Sequence, residues 1–497
     1  MNSAKLIKSS SLYLVGNIAN RAVGFLMIPL YTRFLSPADY GTIELVDLTI
    51  SLIVITLGYA AIGASMIRIY HDWQDDQDRS VVVSSSILTL AVLGVFVTAG
   101  AMLGAPAICQ ALFHSTANIS FIRTCFIATY VGNLVELALA YQRLKNRAMF
   151  FVGYSLIQLV GMVGLNTYFI AYAHNGIWSF VLSRLIVTTL GGIFLIFVVL
   201  KEVGLKWRFE PVRRMLVFGS PLILSAVCFF IIHFSDRFFL SKYSTLTELG
   251  IYSLAYKFGF LITFLVGQPF GRAWNVSLYE YAETAGWKEN FARVVRYLVF
   301  FLFLVSMGIV LFARELLTIM ATPPFRPAVL VIPVVIAAYV FRETGEFFRN
   351  VLYIIKERSR RVSILTIFCA LLNIGLNFLL IPKHGIMGAA WATLFTWVVY
   401  MVLVWVAAYQ DHRFPYSAWS FLLLTVISLP VWYLGRLSGG LPTLGRWAAD
   451  GLLLTAFAGM AIAFGYFPRK DLLTLRHHAM RLVAKLRDSK KVETVPL

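Results

Sequence analysis

Residues 217–257 have the sequence VFGSPLILSAVCFFIIHFSDRFFLSKYSTLTELGIYSLAYK, an apolar helix that is followed by a short polar turn and the start of another helix. The same pattern occurs near the N-terminus, where residues 24–46 have the sequence GFLMIPLYTRFLSPADYGTIELV. Gly41 and Gly250 follow the two turns and lie 209 residues apart. The stretch therefore suggests that one structural unit occurs twice in the chain.

Two further helix junctions support this interpretation. The triplets centred on Gly176 and Gly385 each open an apolar helix, and these glycines are again 209 residues apart. The basic turn at Lys145 recurs at Lys356, with a spacing of 211 residues. Because all three correspondences fall at helix junctions, we predict two copies of a six-helix unit, with the functional site between them.

The composition indicates the type of protein. Hydrophobic residues make up 59% of the chain, charged residues only 13%, and the mean hydropathy is +0.77. Soluble proteins are roughly 45–50% apolar and about 25% charged. Runs of about 20 apolar residues, which are long enough to cross a bilayer as a helix, recur along the chain. We therefore predict an all-α integral membrane protein with about 14 transmembrane helices.

The predicted spans divide as six, six and two. The first lobe comprises residues 1–205, the second lobe residues 206–410, and two extra helices lie in residues 411–468 before a basic tail at 469–497. Five prolines are expected to kink or end helices: Pro29, Pro106, Pro221, Pro269 and Pro333. The spans are 11–33, 41–66, 82–104, 118–141, 149–173, 176–200, 217–240, 250–275, 293–313, 329–354, 362–382, 387–409, 418–437 and 447–467.

The net charge of +19 reflects membrane topology. Most Lys and Arg residues fall in loops on the side of the N-terminus, which predicts that both chain ends are cytoplasmic. We therefore do not expect nucleic-acid binding. The basic tail has leucines at helical spacing, so it either lies on anionic lipids of the inner leaflet or serves only as a topology anchor. Arg21 interrupts the first apolar run and no cleavage site follows it, so we interpret this run as an uncleaved span.

Two other features have structural interpretations. The cysteines occur singly in apolar segments, so we expect core positions rather than metal ligands or disulfides: Cys109, Cys125, Cys228 and Cys369. Asp76-Gln77-Asp78 is a D-x-D triplet, as found at the metal and nucleotide-sugar sites of glycosyltransferases. Because no nucleotide-binding domain accompanies it, we interpret the triplet as a solvated acidic turn.

Charged side chains inside the spans mark the candidate site, because a charge at the centre of a span costs roughly 2.5–3.5 kcal/mol. In the first span Asn17, Asn20 and Arg21 share one helix face, and in the second Glu44 and Asp47 share another. A polar face within a span must contact protein or water. The other polar residues of the first lobe are Arg123, Asn133, Glu136 and Arg184.

The second lobe carries a similar set. Its unpaired-looking cations are Lys257 and Arg272, and Asp236 and Arg237 are adjacent and expected to pair locally. The tenth span is the most polar, with Arg342, Glu346 and Arg349 on one face and Glu343 offset from them; Asn373 and Asn377 share a face of the eleventh. For Arg342 and Glu346 a structural salt bridge and a ligand role are both open.

Cations outnumber acids in the spans, which suits a cavity for an anion such as phosphate. Aromatic residues near these charges either stack on sugar rings or belong to the core; they are Tyr252, Tyr256, Tyr339, Phe347 and Phe348.

The sequence resembles the polysaccharide-transport branch, the O-antigen flippases, of the multidrug/oligosaccharidyl-lipid/polysaccharide exporter superfamily. The resemblance covers roughly residues 5–410. It depends on the order and spacing of three stretches: NIANRAVGFLMIPLYTRFLSPADYGTIELV at 17–46, GSPLILSAVCFFIIHFSDRFFLSKYSTLTELGIYSLAYK at 219–257 and IPKHGIMGAAWATL at 381–394. It implies two six-helix bundles, related by a pseudo-twofold axis, around a cavity that opens to alternate sides of the membrane.

The resemblance also implies a function. Such proteins move an undecaprenyl-pyrophosphate-linked oligosaccharide from the cytoplasmic to the periplasmic leaflet of a bacterial inner membrane, without catalysis and without a cofactor. Arg21 and Lys257 or Arg272 match, by span and depth, the basic cavity residues of the related lipid II flippases. We therefore expect Arg21 and Lys257 to bind the pyrophosphate, with Arg272 and Arg342 assisting.

The carboxylates are expected to act as salt-bridge gates or in coupling to H⁺ or Na⁺, because alternating access requires contacts that exist in only one state. They are Glu44, Asp47, Glu136, Glu343 and Glu346. Expected partners are membrane lipids, a polysaccharide polymerase and assembly proteins.

Other classes of protein remain open. A drug/cation antiporter of the same superfamily would require a net acidic cavity. A glycan polymerase or ligase would require a long periplasmic loop, and none of the outer loops is large. A non-transporting scaffold of an envelope glycan pathway is the third alternative.

Overall fold

A computed structural model describes residues 24–271, 274, 284–352 and 359–468, and every regular element within these ranges is helical. Two short segments, Tyr168–Tyr172 and Thr263–Gly267, are π-helical. In chain order the helices are α1 (Ile28–Phe34), α2 (Pro37–Thr56), α3 (Tyr59–Asp72), α4 (Asp76–Phe113), α5 (Ile119–Leu144), α6 (Ala148–Thr167), α7 (Trp178–Val203), α8 (Phe209–Tyr243), α9 (Leu246–Ile262), α10 (Trp287–Leu311), α11 (Ala313–Met320), α12 (Ala328–Leu352), α13 (Ser359–His412), α14 (Ala418–Leu437) and α15 (Thr443–Ala463).

These helices confirm the predicted all-α membrane fold. Ten of the described helices are long and apolar enough to cross a membrane. Helix α13 is counted once among them although it covers two predicted spans, 362–382 and 387–409. Its halves are separated at Gly385, whose φ of +53° is a conformation that glycine adopts most readily.

The predicted span 41–66 is wrong as a single helix. The chain forms α2 and α3 there, and the break between them is Gly58, which has a φ of +76°. A Cβ at this position would also lie 2.8 Å from the side chain of Ile223 in α8. The break therefore favours glycine chiefly for its backbone conformation, since the end of the Ile223 side chain can move.

Arg123, predicted as one of the buried cations of the first lobe, has a structural role. Pro106 lies inside α4 and, lacking an N–H, leaves the carbonyl of Met102 without its usual helical donor. Arg123 in α5 donates from Nε to that carbonyl at 3.1 Å. The half-buried cation therefore satisfies a backbone group that the proline leaves without a donor.

Contacts divide the chain into two compact units. Unit 1 comprises the described parts of Met1–Lys257, Glu315–Ala338 and Arg360–Tyr400, and unit 2 those of Phe258–Arg314, Tyr339–Ser359 and Met401–Leu497. Unit 1 thus contains helices from both predicted lobes. The predicted lobe boundaries at residues 205 and 410 stay predictions, and the tail 469–497 lies outside the described residues.

Each unit has its own packed interior. In unit 1, α4, α5, α6 and α7 meet through fully buried side chains such as Val83, Leu139, Phe151 and Leu195. In unit 2, the ring of Phe348 stacks on that of Phe414 at 5.7 Å between centroids. Because lipid tails are as apolar as leucine, such contacts stabilise a membrane protein mainly by close packing.

Candidate functional site

Four of the predicted binding residues lie outside the described residues: Asn17, Asn20, Arg21 and Arg272. Their predicted roles stay predictions. The other predicted site residues belong partly to unit 1 and partly to unit 2, and each group forms its own set of contacts.

The repeated glycines Gly41 and Gly250 contact each other in unit 1. They lie in α2 and α9 where these helices cross, so close that a Cβ on either glycine would overlap a carbonyl oxygen of the other helix, that of Leu246 or of Pro37. Only glycine permits this approach. The repeat thus marks a direct contact between the two predicted lobes. We call the region of this crossing, together with residues 31–40 and 320–325, the glycine end.

Hydroxyl groups close the glycine end. Thr32 Oγ1 donates to the carbonyl of Met320 at 2.9 Å, and Thr322 Oγ1 donates to the carbonyl of Thr32 at 2.6 Å. The rings of Tyr40 and Phe325 meet edge to face, with centroids 5.9 Å apart. These contacts join the first predicted lobe to the second, so this end is closed in the observed conformation.

Lys257 and Glu44 form an ion pair one to two helical turns from the glycines. Glu44 follows Gly41 by three residues and Lys257 follows Gly250 by seven, so both lie on the helix faces that meet at the crossing. Lys257 Nζ is 3.5 Å from Glu44 Oε2, and the two side chains keep 36% and 17% of their surface exposed. This pair corrects the prediction that Lys257 is an unpaired cation.

A second pair extends the charged site. Arg184 Nη1 lies 2.7 Å from Asp47 Oδ1, and these side chains are 28% and 43% exposed. Asp47 is also within electrostatic range of Lys257, as Glu44 is of Arg237. Together with the Asp236–Arg237 pair, these contacts group three carboxylates with three cations in unit 1. Arg21 and Arg272 lie outside the described residues, so the expected excess of cations stays a prediction.

The local pair of Asp236 and Arg237 is confirmed, and both side chains are only 1% exposed. Arg237 donates to Asp236 Oδ1 from Nη1 at 2.7 Å and from its backbone nitrogen at 2.9 Å. The other carboxylate oxygen accepts bonds from Tyr252 at 2.5 Å and Thr393 at 3.2 Å. The guanidinium lies 3.8 Å from the ring centroid of Tyr256, a cation–π contact.

Tyr252 and Tyr256 cover this ion pair in the observed conformation, and their predicted sugar-binding role stays a prediction. Their exposed fractions are 0% and 4%, because they enclose the buried ion pair. Beside them, Asn373 accepts a bond from Ser235 at 2.9 Å, and Asn377 donates to Asn373 at 3.0 Å. The predicted polar face of Asn373 and Asn377 thus joins two helices of unit 1.

Removing one member of this buried pair is expected to destabilise the protein strongly. Breaking a buried ion pair from one side typically costs about 3–5 kcal/mol, because the remaining charge is left uncompensated. D236N should therefore lower the midpoint of thermal unfolding in detergent far more than D72N, which removes the exposed carboxylate paired with Arg68 at 3.7 Å. An exposed pair contributes about 0–1 kcal/mol. Equal midpoints for D236N and D72N would contradict a structural role for Asp236.

In unit 2, Arg342 forms an ion pair with its neighbour Glu343 in α12. Thr263 donates to Glu343 Oε1 at 2.5 Å and accepts from Arg342 at 2.6 Å. Thr263 begins the π-helical segment after α9, and a Cβ on Gly267 at its end would overlap the Glu343 carboxylate. Pro269, which has no N–H, favours this irregular segment. The buried carboxylate therefore depends on a local break of the helix.

The neighbouring charges and rings of unit 2 are structural as well. Glu346 pairs with Arg349, so the structure records an ion partner for each of these residues within α12. Phe347 packs against Phe270, Phe348 against Phe414, and Arg342 lies over the ring of Tyr339. These three aromatic residues are at most 5% exposed. The core interpretation is therefore correct for them, and the sugar-stacking interpretation is not supported in this conformation.

Glu136 is the predicted gating residue with the most accessible environment. It is exposed on α5 and lies within electrostatic range of Tyr154. The described part of the chain contains no recorded ion partner for it. A carboxylate in a span is expected to face water or protein rather than lipid. Its predicted role in gating or coupling stays a prediction.

Several residues of the site were not predicted from the sequence. Thr32, Thr322 and Thr263 supply hydroxyl bonds, and threonine is too common in spans for its pattern to indicate them. Gly267 could have been noted, because a glycine two residues before Pro269 indicates an irregular helix.

Within the described ranges, no group of three or more His, Cys, Asp or Glu side chains could hold a metal ion. The four cysteines are buried and unpaired with one another, in agreement with their predicted core positions.

Long apolar helices with charged side chains paired between them define a multi-pass membrane protein with an internal polar site. Residues 30–330 match the family model described as polysaccharide biosynthesis protein, and the chain belongs to this family.

Two curated relatives share part of the sequence. A protein of the Lsg locus of Haemophilus influenzae is 24% identical over 267 residues, which cover 53% of this chain and 63% of the relative. The succinoglycan biosynthesis transport protein ExoT of Rhizobium meliloti is 24% identical over 241 residues, which cover 47% of this chain and 46% of the relative. The chain thus spans less than two thirds of the length of the curated relatives it matches.

Solved structures share the fold. The chain is similar to the lipid II flippase MurJ in an inward closed conformation, with a TM-score of 0.73 and 15% identity over 93% of this chain and 99% of that chain. It is also similar to an outward-facing multidrug resistance MATE family transporter of the MOP superfamily, with a TM-score of 0.61 and 14% identity over 82% of this chain and 95% of that chain. At these identities the likeness concerns the fold.

Proposed function

We propose that the protein is a flippase that moves an undecaprenyl-pyrophosphate-linked oligosaccharide from the cytoplasmic to the periplasmic leaflet of a bacterial inner membrane. The product would serve the assembly of a surface polysaccharide such as O-antigen, capsule or exopolysaccharide. Family membership, the named transport function of a relative and the fold shared with a lipid II flippase support this proposal.

The observation that carries the proposal is the ion pair between Lys257 and Glu44. It joins the two predicted lobes, its distance of 3.5 Å is loose, and the Lys257 side chain keeps 36% of its surface exposed. A phosphate oxygen can replace the Glu44 carboxylate as the partner of Lys257, because both are anionic acceptors for a charged hydrogen bond. Binding of the lipid head group and separation of the lobes would then be coupled events.

The polar interior provides a path for the sugars. An oligosaccharide in hydrocarbon would leave many hydroxyl groups without hydrogen bonds, at a cost of several kcal/mol for each group. Partly exposed side chains such as Asp47 and Arg184 offer donors and acceptors instead. The polyprenyl tail can remain in lipid while the head group crosses.

The closed glycine end suggests the order of events. We propose that this end is periplasmic, that substrate enters while it is closed, and that the crossing of Gly41 with Gly250 opens for release. Coupling to H⁺ or Na⁺ remains a prediction, with Glu44 and Asp47 as the exposed carboxylates that would change partners. Both chain ends would be cytoplasmic, and a polysaccharide polymerase would use the product.

Deletion of the gene in its bacterium tests the function. We expect loss of a surface polysaccharide together with accumulation of its lipid-linked precursor in the inner leaflet, measured by lipid extraction and glycan analysis. Wild-type protein should restore both quantities. Normal surface polysaccharide combined with increased drug sensitivity would instead favour the antiporter.

A further inference from the structure

The segment between α7 and α8 carries an exposed set of aromatic and basic side chains. Residues 204–208, which we call the strap, run in a non-helical conformation between the two spans. The exposed fractions of Leu205, Trp207 and Phe209 are 72%, 54% and 61%. Lys206 and Arg208 alternate with them and are exposed as well.

The strap is held in place by buried hydroxyl groups of α4. Ser84 Oγ donates to the carbonyl of Gly204 at 2.8 Å and accepts from the backbone nitrogen of Lys206 at 3.0 Å. Ser85 Oγ accepts from the backbone nitrogen of Arg208 at 3.0 Å. Both serines are fully buried. These bonds hold three backbone groups of the strap against α4 while its side chains remain at the surface.

The charges around the strap are not balanced. Between residues 201 and 214 there are five basic and two acidic side chains. Three carboxylates are already paired with arginines here: Glu202 with Arg147, Glu210 with Arg214, and Asp78 with Arg208. No acidic partner is recorded among the described residues for three exposed cations, Lys201, Lys206 and Arg213.

We infer that the strap binds an anionic phospholipid of the surrounding bilayer, with Lys201, Lys206 and Arg213 facing its phosphate and Trp207 and Phe209 at the level of the head groups. Tryptophan favours the membrane–water interface because its ring is apolar and its N–H is polar, and Trp207 Nε1 donates to Thr89 at 3.1 Å. Basic residues beside a span attract anionic head groups. The inference concerns a surface away from the charged site, and it does not depend on the proposed function.

Fluorescence of Trp207 provides the test. The full-length protein is placed in nanodiscs of neutral lipid that contain brominated phosphatidylglycerol, whose bromine quenches tryptophan fluorescence. Brominated phosphatidylcholine is the matched neutral lipid. The Trp207 signal is the difference in fluorescence between wild type and W207F. We expect apparent affinity for the anionic lipid to be about tenfold higher, and K201Q/K206Q/R213Q to remove this preference. The control K242Q/R360Q/K383Q removes the same number of positive charges at exposed sites elsewhere, so it should retain the preference for the anionic lipid.

Several outcomes would overturn the inference. These are equal quenching by the two brominated lipids, loss of the preference in the control variant, and displacement of phosphatidylglycerol by added undecaprenyl diphosphate, which would identify the strap as a substrate site. Counting lipids bound to wild type and to K201Q/K206Q/R213Q by native mass spectrometry provides a second readout that does not require W207F to fold. Equal numbers of bound phosphatidylglycerol molecules would also contradict it.

Discussion

K257Q is expected to reduce flipping of the lipid-linked oligosaccharide about 30-fold or more while the protein remains folded. Truncating one partner of a hydrogen-bonded charge pair costs about 2–5 kcal/mol in binding, and about 2 kcal/mol corresponds to 30-fold. Lys257 is the only described member of the predicted cation set Arg21, Lys257 and Arg272. The rate is measured in proteoliposomes, as the loss of a fluorescent substrate analogue from the accessible leaflet.

Three further variants separate substrate binding from loss of the ion pair. E44Q leaves Lys257 without its carboxylate, so the variant should bind the anionic head group at least as tightly as wild type but turn over more slowly. E44Q/K257Q removes both charges without leaving either one uncompensated, so it should be as stable as wild type yet fail to flip substrate. K257R keeps a cation and should retain part of the activity.

The same variants also test whether the ion pair has only a structural role. If the pair only holds α2 against α9, E44Q and K257Q should lose stability and activity in parallel, and E44Q/K257Q should recover both, because a neutral pair of similar volume is often as stable as the ion pair. Flipping by E44Q/K257Q at the wild-type rate would therefore remove Lys257 from the substrate site.

The fold was predictable because its main signal is apolar length, which each span carries locally. The break at Gly58 was not, since a glycine within an apolar run has no distinct hydropathy and only the backbone φ of +76° shows the turn. The junction at Gly385 was predictable from the repeat, and this glycine has non-helical backbone angles at a kink between the two halves of α13.

The site was predictable only where its partners are adjacent in sequence. Asp236 and Arg237 are neighbours and pair as expected, whereas Lys257 and Glu44 meet only because two distant helices cross at a particular register. Sequence periodicity places Tyr252 and Tyr256 on one face of a helix. It does not show whether that face lines a cavity or covers a buried ion pair. That distinction depends on the neighbouring helix, which contributes Thr393.

G41A and G250A are each expected to open the glycine end and to abolish flipping. An added Cβ would overlap backbone carbonyl oxygens, which cannot rotate away as a side chain can, so α2 and α9 must separate. Overpacking of this kind costs about 1–3 kcal/mol, and a shift of about 2 kcal/mol between two conformations changes their ratio about 30-fold. Closure is measured in a cysteine-free protein carrying T32C and T322C, as the yield of cross-linking by a short bifunctional thiol reagent.

The matched control is G153A in α6, because a Cβ on Gly153 would meet no atom within 4 Å. Alanine in a helix is favoured over glycine by roughly 0.5–1 kcal/mol, so G153A should keep full cross-linking and full flipping. The double variant G41A/G250A tests whether the two glycines form one contact or two independent packing sites. Once one added Cβ has separated the helices, the second Cβ causes little further separation. The double variant should therefore resemble either single variant. Cross-linking that stays at the wild-type yield in G250A would mean that this end closes without the glycine contact, and the repeated glycines would then serve assembly of the fold rather than its opening.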